Sequence, residues 1–140
     1  MGLMTVVDLV DETFIVTPPA ALAAVVADRR RWQVWWPDLT LTVFMDRGEK
    51  GIRWSATGAL VGSVELWLEP FGDGAIVHYY LRADPTVDGA GAQARTLPDS
   101  PRGRRTADRL RRRHALRWKQ TIWALKRELE GDRVPGDGAW

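Results

Sequence analysis

The sequence contains no cysteine, which removes disulfides, thiolate nucleophiles and thiolate metal ligands together. It also contains no apolar run approaching the roughly 18 to 20 residues of a membrane-spanning helix. Histidine is limited to His78 and His114. A metal site would therefore rest on carboxylates, and no carboxylate spacing of that kind is visible, so neither a metal nor a cofactor is expected. A serine-centred nucleophile elbow, a phosphate-cradling glycine loop and a dinucleotide fingerprint are all missing, which leaves hydrolase, kinase and NAD-dependent readings without support. The opening residues, MGLMTVVDLVDETF, have no basic segment and reach an acid at Asp8, unlike a secretory signal, and a cytoplasmic location is expected.

Lysine is scarce as well, with three residues against 17 arginines, a bias that a GC-rich genome would also produce. Tryptophan is the opposite case. Eight of them in 140 residues is several times ordinary usage, which suits a broad core or a ligand pocket, because indole supplies large flat apolar area with one donor. A 45% apolar and 27% charged composition at this length fits one domain with one core. The domain is read as residues 1–132, with 133–140 as a flexible tail.

Residues 4–16 are rich in Val and Ile and read as a strand near a sheet edge. Thr17 before Pro18 and Pro19 reads as a helix cap, and Leu22, Val25 and Val26 at helical spacing extend that helix to about residue 30. A further turn carries Trp32, Trp35 and Trp36 and ends at Pro37. From residue 40 the period becomes two. LTVFMD, GIRWSATG, SVELWLEP and AIVHYYLRAD are strand-like runs separated by the turn signals RGEKG, ALVG and FGDG, the pattern of an antiparallel meander. Residues 84–103 read as a long Pro/Gly-rich loop. The helical period returns at about Thr106, within a segment bounded as 104–131, and runs to Glu130.

On that last helix Leu110, His114, Trp118, Ile122, Leu125 and Leu129 fall within an arc of roughly 120°, a seam that must be hidden from water. Thr121 shares the arc and Arg111 lies at its edge. On the sheet, Val64, Leu66 and Leu68 alternate with Glu65, Trp67 and Glu69, and Val77, Tyr79 and Leu81 with His78, Tyr80 and Arg82. Ile52, Trp54 and Ala56 join the apolar set. His78 falls on the outward face beside Glu65, where solvent exposure is expected. The fold class is thus α+β, a curved antiparallel sheet of about five to seven strands wrapped around a long C-terminal helix.

FIVTPPAALAAVVADRRRWQVWWPDL resembles the opening of START-like proteins of the SRPBCC, polyketide cyclase/dehydrase type, and GALVGSVELWLEPFGDGAIVHYYLRADP is similar to that family's closing hairpin. The resemblance implies a helix-grip fold and a cavity between sheet and last helix for lipids, sterols, polyketides, quinones or similar apolar molecules. Only some members of the family are catalytic. The chain departs from the pattern by one hairpin fewer before the closing pair.

The residues expected to line such a cavity are Trp35, Trp36, Trp54, Leu66, Tyr79, Arg111, Trp118, Thr121, Ile122 and Leu125. If it were open at Trp118, truncating that residue would cost less than emptying a packed site. His114 is the candidate acid–base residue for a cyclase- or dehydratase-like reaction, against the plainer reading of a hydrogen-bonded core histidine. A second function class competes with ligand binding. Residues 102–119 hold nine basic residues against Asp108 alone, a net +8 in a chain of net +2. Arg102, Arg104, Arg105, Arg109, Arg111, Arg112 and Arg113 could meet RNA or a ribosome, anionic lipid or an acidic protein, or form a solvated face neutralised by the rest of the domain. Leu116 and Trp123 project beside them, either covered by loop or tail or marking a partner or homodimer surface.

Overall fold

The structure, a computed structural model, is described for residues 5–132, so the 133–140 tail and Met4 lie outside the described residues. Strand β1 (Val7–Ile15) leads into two short helices, α1 (Pro19–Val26) and α2 (Arg29–Trp35). Strands β2 (Leu39–Asp46), β3 (Gly51–Gly58), β4 (Leu60–Phe71) and β5 (Gly74–Pro85) follow, and helix α3 (Pro101–Glu130) ends the fold. The five strands form one antiparallel sheet in the order β1-β5-β4-β3-β2. The meander is closed by β1, which adds to the far side of β5 and leaves β1 and β2 as the edges. This is the helix-grip arrangement that the switch from period two to period 3.6 anticipates.

Register follows from burial, because a slip of one residue would turn the apolar set toward water. Trp54 pairs with Val64, Leu66 with Tyr79 and Val64 with Leu81, so all five side chains share the inner face and are buried.

Several boundaries differ from the sequence reading, each for a local reason. The helix expected over 18–30 breaks at Ala27. Asp28 there accepts a hydrogen bond from the Arg30 N–H at 3.1 Å and starts α2 as a separate helix. Thr17 makes no cap: the first helix begins after Pro18 without a side-chain partner, and Thr17 is buried. The ALVG segment belongs mostly to β4, with Ala59 alone joining β3 to β4. Gly62 sits inside the strand, where a Cβ would stand 2.1 Å from the Arg82 carbonyl oxygen on β5.

Helix α3 starts at Pro101, five residues before the expected Thr106. Ser100 caps it, accepting from the Gly103 N–H at 3.2 Å, and Pro101 occupies the first turn, where a missing N–H costs nothing. The segment read as an open loop is also tied down. Its backbone bonds include Arg95 N–H to Pro85 O at 2.7 Å and Gly58 N–H to Gly91 O at 2.8 Å.

A line of bonds fixes α3 along β1. Arg111 donates to the Val6 carbonyl at 3.0 Å, Trp118 Nε1 to Asp11 at 3.1 Å and Lys126 to the Phe14 carbonyl at 2.7 Å, while Glu130 accepts from the Val16 N–H at 2.9 Å. Both sequences of partners ascend together, so helix and strand run in the same direction. The ten steps from Val6 to Val16, which take in β1 and one residue at each end, at about 3.3 Å, and the nineteen helical steps from Arg111 to Glu130 at about 1.5 Å, span similar lengths, which lets the ladder stay in register.

Gly103 separates two effects. Helix propensity alone favours Gly103→Ala by about 1 kcal/mol. A Cβ at this position would, however, lie 1.8 Å from the Pro98 carbonyl oxygen, and overpacking of that kind typically costs about 1–3 kcal/mol. Urea unfolding of Gly103→Ala is expected to show a lower midpoint than wild type; a higher one would mean that the 98–103 turn does not close as described.

Candidate functional site

The inner face of the sheet and the seam of α3 meet through aromatic rings. Tyr79 from β5 stacks on Trp118 from α3 with centroids 3.9 Å apart and planes within 11°. Trp36, at the end of α2, lies nearly parallel to Trp118 at 6.1 Å and 7°. Trp54 then meets Trp36 at 5.3 Å and Trp32 edge-on at 5.0 Å. Trp32 is held by its indole N–H, which donates to the Val26 carbonyl at 2.7 Å and so ties α2 back to the end of α1. These rings occupy the space between sheet and helix where the sequence reading puts an open cavity.

The expected lining residues therefore separate. Trp54, Leu66, Ile122 and Leu125 are packed in the core, and Trp36 is buried among the aromatic rings. Trp35 and Thr121, together with one side of Leu125, border a surface groove of about 240 Å³ between α2 and α3, beside the Arg31–Glu128 ion pair at 2.6 Å. Arg111 holds the Val6 carbonyl and Asp108. Of the expected lining residues, Tyr79 and Trp118 border a cleft that reaches the sheet–helix seam, a space of about 150 Å³ at the edge between β1 and α3. Its other walls are Leu9, Val10, Asp11, Ala115 and Lys119.

Sequence reasoning passed over Asp11, Ala115 and Lys119. The signal for Asp11 was the alternation of β1, in which Val7, Leu9, Asp11, Thr13 and Ile15 share the inward side. An inward carboxylate needs partners. Asp11 has Thr13 at 3.0 Å, Trp118 Nε1 at 3.1 Å and the Lys119 ammonium. Burial alone would raise its pKa, but hydrogen bonds from Lys119, Thr13 and Trp118 outweigh it and hold the carboxyl below its usual range. The Tyr79 phenol is pushed well up, chiefly by burial, and stays protonated. The cleft thus combines apolar and aromatic walls with one fixed anion and its ammonium partner.

His114 is buried on the α3 seam but does not line this cleft. Burial holds its imidazole below the ordinary value of 6.5; nearby Asp38 acts in the opposite sense, and Arg117 and Arg113 add to the lowering. His78 corrects the sequence reading. It does project from the outer face, yet it is only 6% exposed. Trp67, its cross-strand partner, stacks on it at 4.3 Å, and the Glu69 and Glu12 carboxylates stand 2.8 and 3.4 Å away. The register pairs Glu65 with Tyr80 instead.

The arginines of α3 divide in two. Arg104 pairs with Asp99 at 3.0 Å, Arg111 with Asp108 and Arg117 with Asp38 at 2.6 Å. Arg102, Arg105, Arg109, Arg112 and Arg113 are exposed and pair with no carboxylate among the described residues. Leu116 and Trp123 are 61% and 49% exposed, uncovered by loop 84–103.

Two measurements check this geometry. Trp118 is 4% exposed and stacked on Tyr79, so Trp118→Ala should lose about 3–5 kcal/mol, the full cost of emptying a packed aromatic site. A loss below about 2 kcal/mol would restore the open cavity that the sequence suggested. His114 binds a proton more readily unfolded than folded. Stability should therefore fall as pH drops below about 6.5 toward the lower folded value, and the slope should be shallower in His114→Gln, as thermal melts across pH 5–8 would show.

No family model matches the chain, and no curated protein matches it. Among solved structures, the Aha1 dimer from Colwellia psychrerythraea aligns with a TM-score of 0.54 at 13% identity, over 89% of this chain and 96% of that one. DR_A0006 from Deinococcus radiodurans aligns at 0.48 and 16% identity, over 78% and 97%. Ara h 8.0201 aligns at 0.39 and 14%, over 84% and 97%. At such identities the likeness to the Aha1 structure concerns the fold: this chain has the same helix-grip architecture.

Proposed function

We propose that the protein binds a small, flat, apolar molecule in the cleft between β1 and α3. The observation that supports this most directly is the parallel Tyr79–Trp118 pair at the inner wall of a mostly apolar space, with Asp11 and Lys119 at its rim. Stacked rings at a cleft wall favour another flat ring, because aromatic faces pair in offset parallel geometry. A few polar groups in an apolar pocket fix orientation without removing the apolar driving force.

Size narrows the class. An apolar space of about 150 Å³ holds a molecule of roughly benzene dimensions. A one- or two-ring aromatic or a quinone-like head is accommodated with small side-chain movement. A sterol or long acyl chain would need the Trp36–Trp118–Tyr79 stack displaced, at a cost comparable to losing its packing. Asp11 and Tyr79 are both shifted away from neutrality, Asp11 held ionised and Tyr79 protonated. Binding is therefore a better-supported reading than cyclase- or dehydratase-like catalysis through His114, which lies off the cleft.

The test is a fluorescence titration with a panel of monocyclic and bicyclic aromatics, short quinones, fatty acids and sterols, alongside native mass spectrometry of the purified protein. Small aromatics are expected to quench and to bind at least tenfold better than sterols, about 1.4 kcal/mol. Ala115→Leu, which grows into the cleft from its wall, should weaken that binding while leaving the fold intact. Equal binding by Ala115→Leu, or no binding by any small aromatic, would overturn the reading.

A further inference from the structure

Helix α3 has two faces with different tasks. At about 100° per residue, the buried seam occupies one side and a stripe centred on Leu116 occupies the other. Within about 60° of that centre lie Arg102, Arg105, Arg109, Arg112 and Arg113 in the first half of the helix, and Trp123 with Arg127 and Glu130 in the second. The acids of α3 leave these arginines unneutralised: Asp108 stands at the margin, paired with Arg111, Glu128 is turned away to Arg31, and Glu130, within about 40° of the same centre at the far end of the helix, is taken up by Lys126 and the Val16 N–H. The result is an exposed stripe whose first half carries unpaired cations, with Leu116 and Trp123 along its middle.

We infer that this outer face of α3 docks the protein on an anionic lipid surface, with the arginines meeting lipid phosphates and Leu116 and Trp123 entering the interface between them. Three features favour this occupant. Charge complementarity demands an anion, and arginines in the first half of a helix oppose its macrodipole, so helix stability does not account for them. The two apolar side chains on the midline have use in a lipid interface, where tryptophan and leucine sink between headgroups while arginine stems lie along the boundary; a phosphate backbone offers them nothing. A second copy packed with the helices parallel would bring two unpaired arginine rows together, and packed antiparallel it would offer the arginines only Glu128 and Glu130, already held by Arg31 and Lys126.

The face is also preformed. Bonds from Arg111, Trp118, Lys119 and Lys126 hold α3 on β1, so binding does not have to fold the helix, unlike amphipathic peptides that order only on the bilayer. This inference stands independently of small-molecule binding at the β1–α3 cleft.

Co-sedimentation of the whole chain with vesicles tests it. Wild type is expected to pellet with phosphatidylcholine vesicles containing phosphatidylserine and not with phosphatidylcholine alone. The bound fraction should fall as added salt shortens the screening length from about 10 Å at 0.1 M toward about 3 Å at 1 M. The triple variant Arg105→Gln, Arg109→Gln, Arg112→Gln should bind at least about tenfold more weakly, since each removed cation lay near the anionic surface. The pair Leu116→Gln, Trp123→Gln should also weaken binding several-fold with its charges intact. All five side chains are exposed, so both variants should keep wild-type circular dichroism and melting. No pelleting by wild type at low salt would overturn the proposal. So would vesicle binding indifferent to Leu116 and Trp123, combined with tighter arginine-dependent binding to an RNA duplex, which would assign the stripe to a polyanion.

Discussion

A single helix has to cover the concave face of a five-stranded sheet, and the stack of Tyr79, Trp118 and Trp36 is how this chain meets that demand. Aliphatic side chains from one helix would leave gaps against so broad a surface. Indole rings span them, each aromatic pair adding about 0.5–1.5 kcal/mol beyond the area it buries. The two short helices after β1 follow from the same constraint. They bring Trp32 and Trp36 over β3, where Trp54 waits on the inner face, and Asp28 sets the break that aims α2. One consequence is an unmet donor: Trp54 Nε1 is buried with no acceptor among the described residues, a cost of about 1–3 kcal/mol that the surrounding ring packing must exceed.

Charge is organised around the same helix. Where α3 lies against β1, its polar side chains are consumed by structure: Arg111 takes the Val6 carbonyl just before the strand, Lys126 the Phe14 carbonyl within it, Lys119 takes Asp11, and Glu130 takes the Val16 N–H just after it. These contacts also occupy main-chain groups at both ends of an edge strand and at Phe14 within it, and the helix lying along that edge is one way a sheet edge is kept from pairing with another chain. Away from the sheet, the remaining arginines have no such partners. The helix that closes the core thus also presents the most concentrated charge of the domain, and the cleft with Asp11 and Lys119 at its rim lies on the β1 side of that helix.

The sequence by itself determined the elements and their faces. Alternation in β3, β4 and β5 marked Trp54, Leu66 and Tyr79 as inward, and the spacing of His114, Trp118, Ile122 and Leu125 marked the seam of α3, because both patterns are local consequences of backbone geometry. Tertiary structure alone decided whether the space between those faces was empty or filled. That depends on ring positions from α2, β3, β5 and α3 at once, and no local period encodes how far Trp36 and Trp118 reach toward one another. It likewise decided the state of individual polar residues. His78 sits on an outward position yet is covered by Trp67, since a stacked cross-strand ring can bury what alternation exposes. Asp11 reads as one acid in an edge strand until α3 lies beside it and supplies Trp118 and Lys119, more than a hundred residues later in the chain.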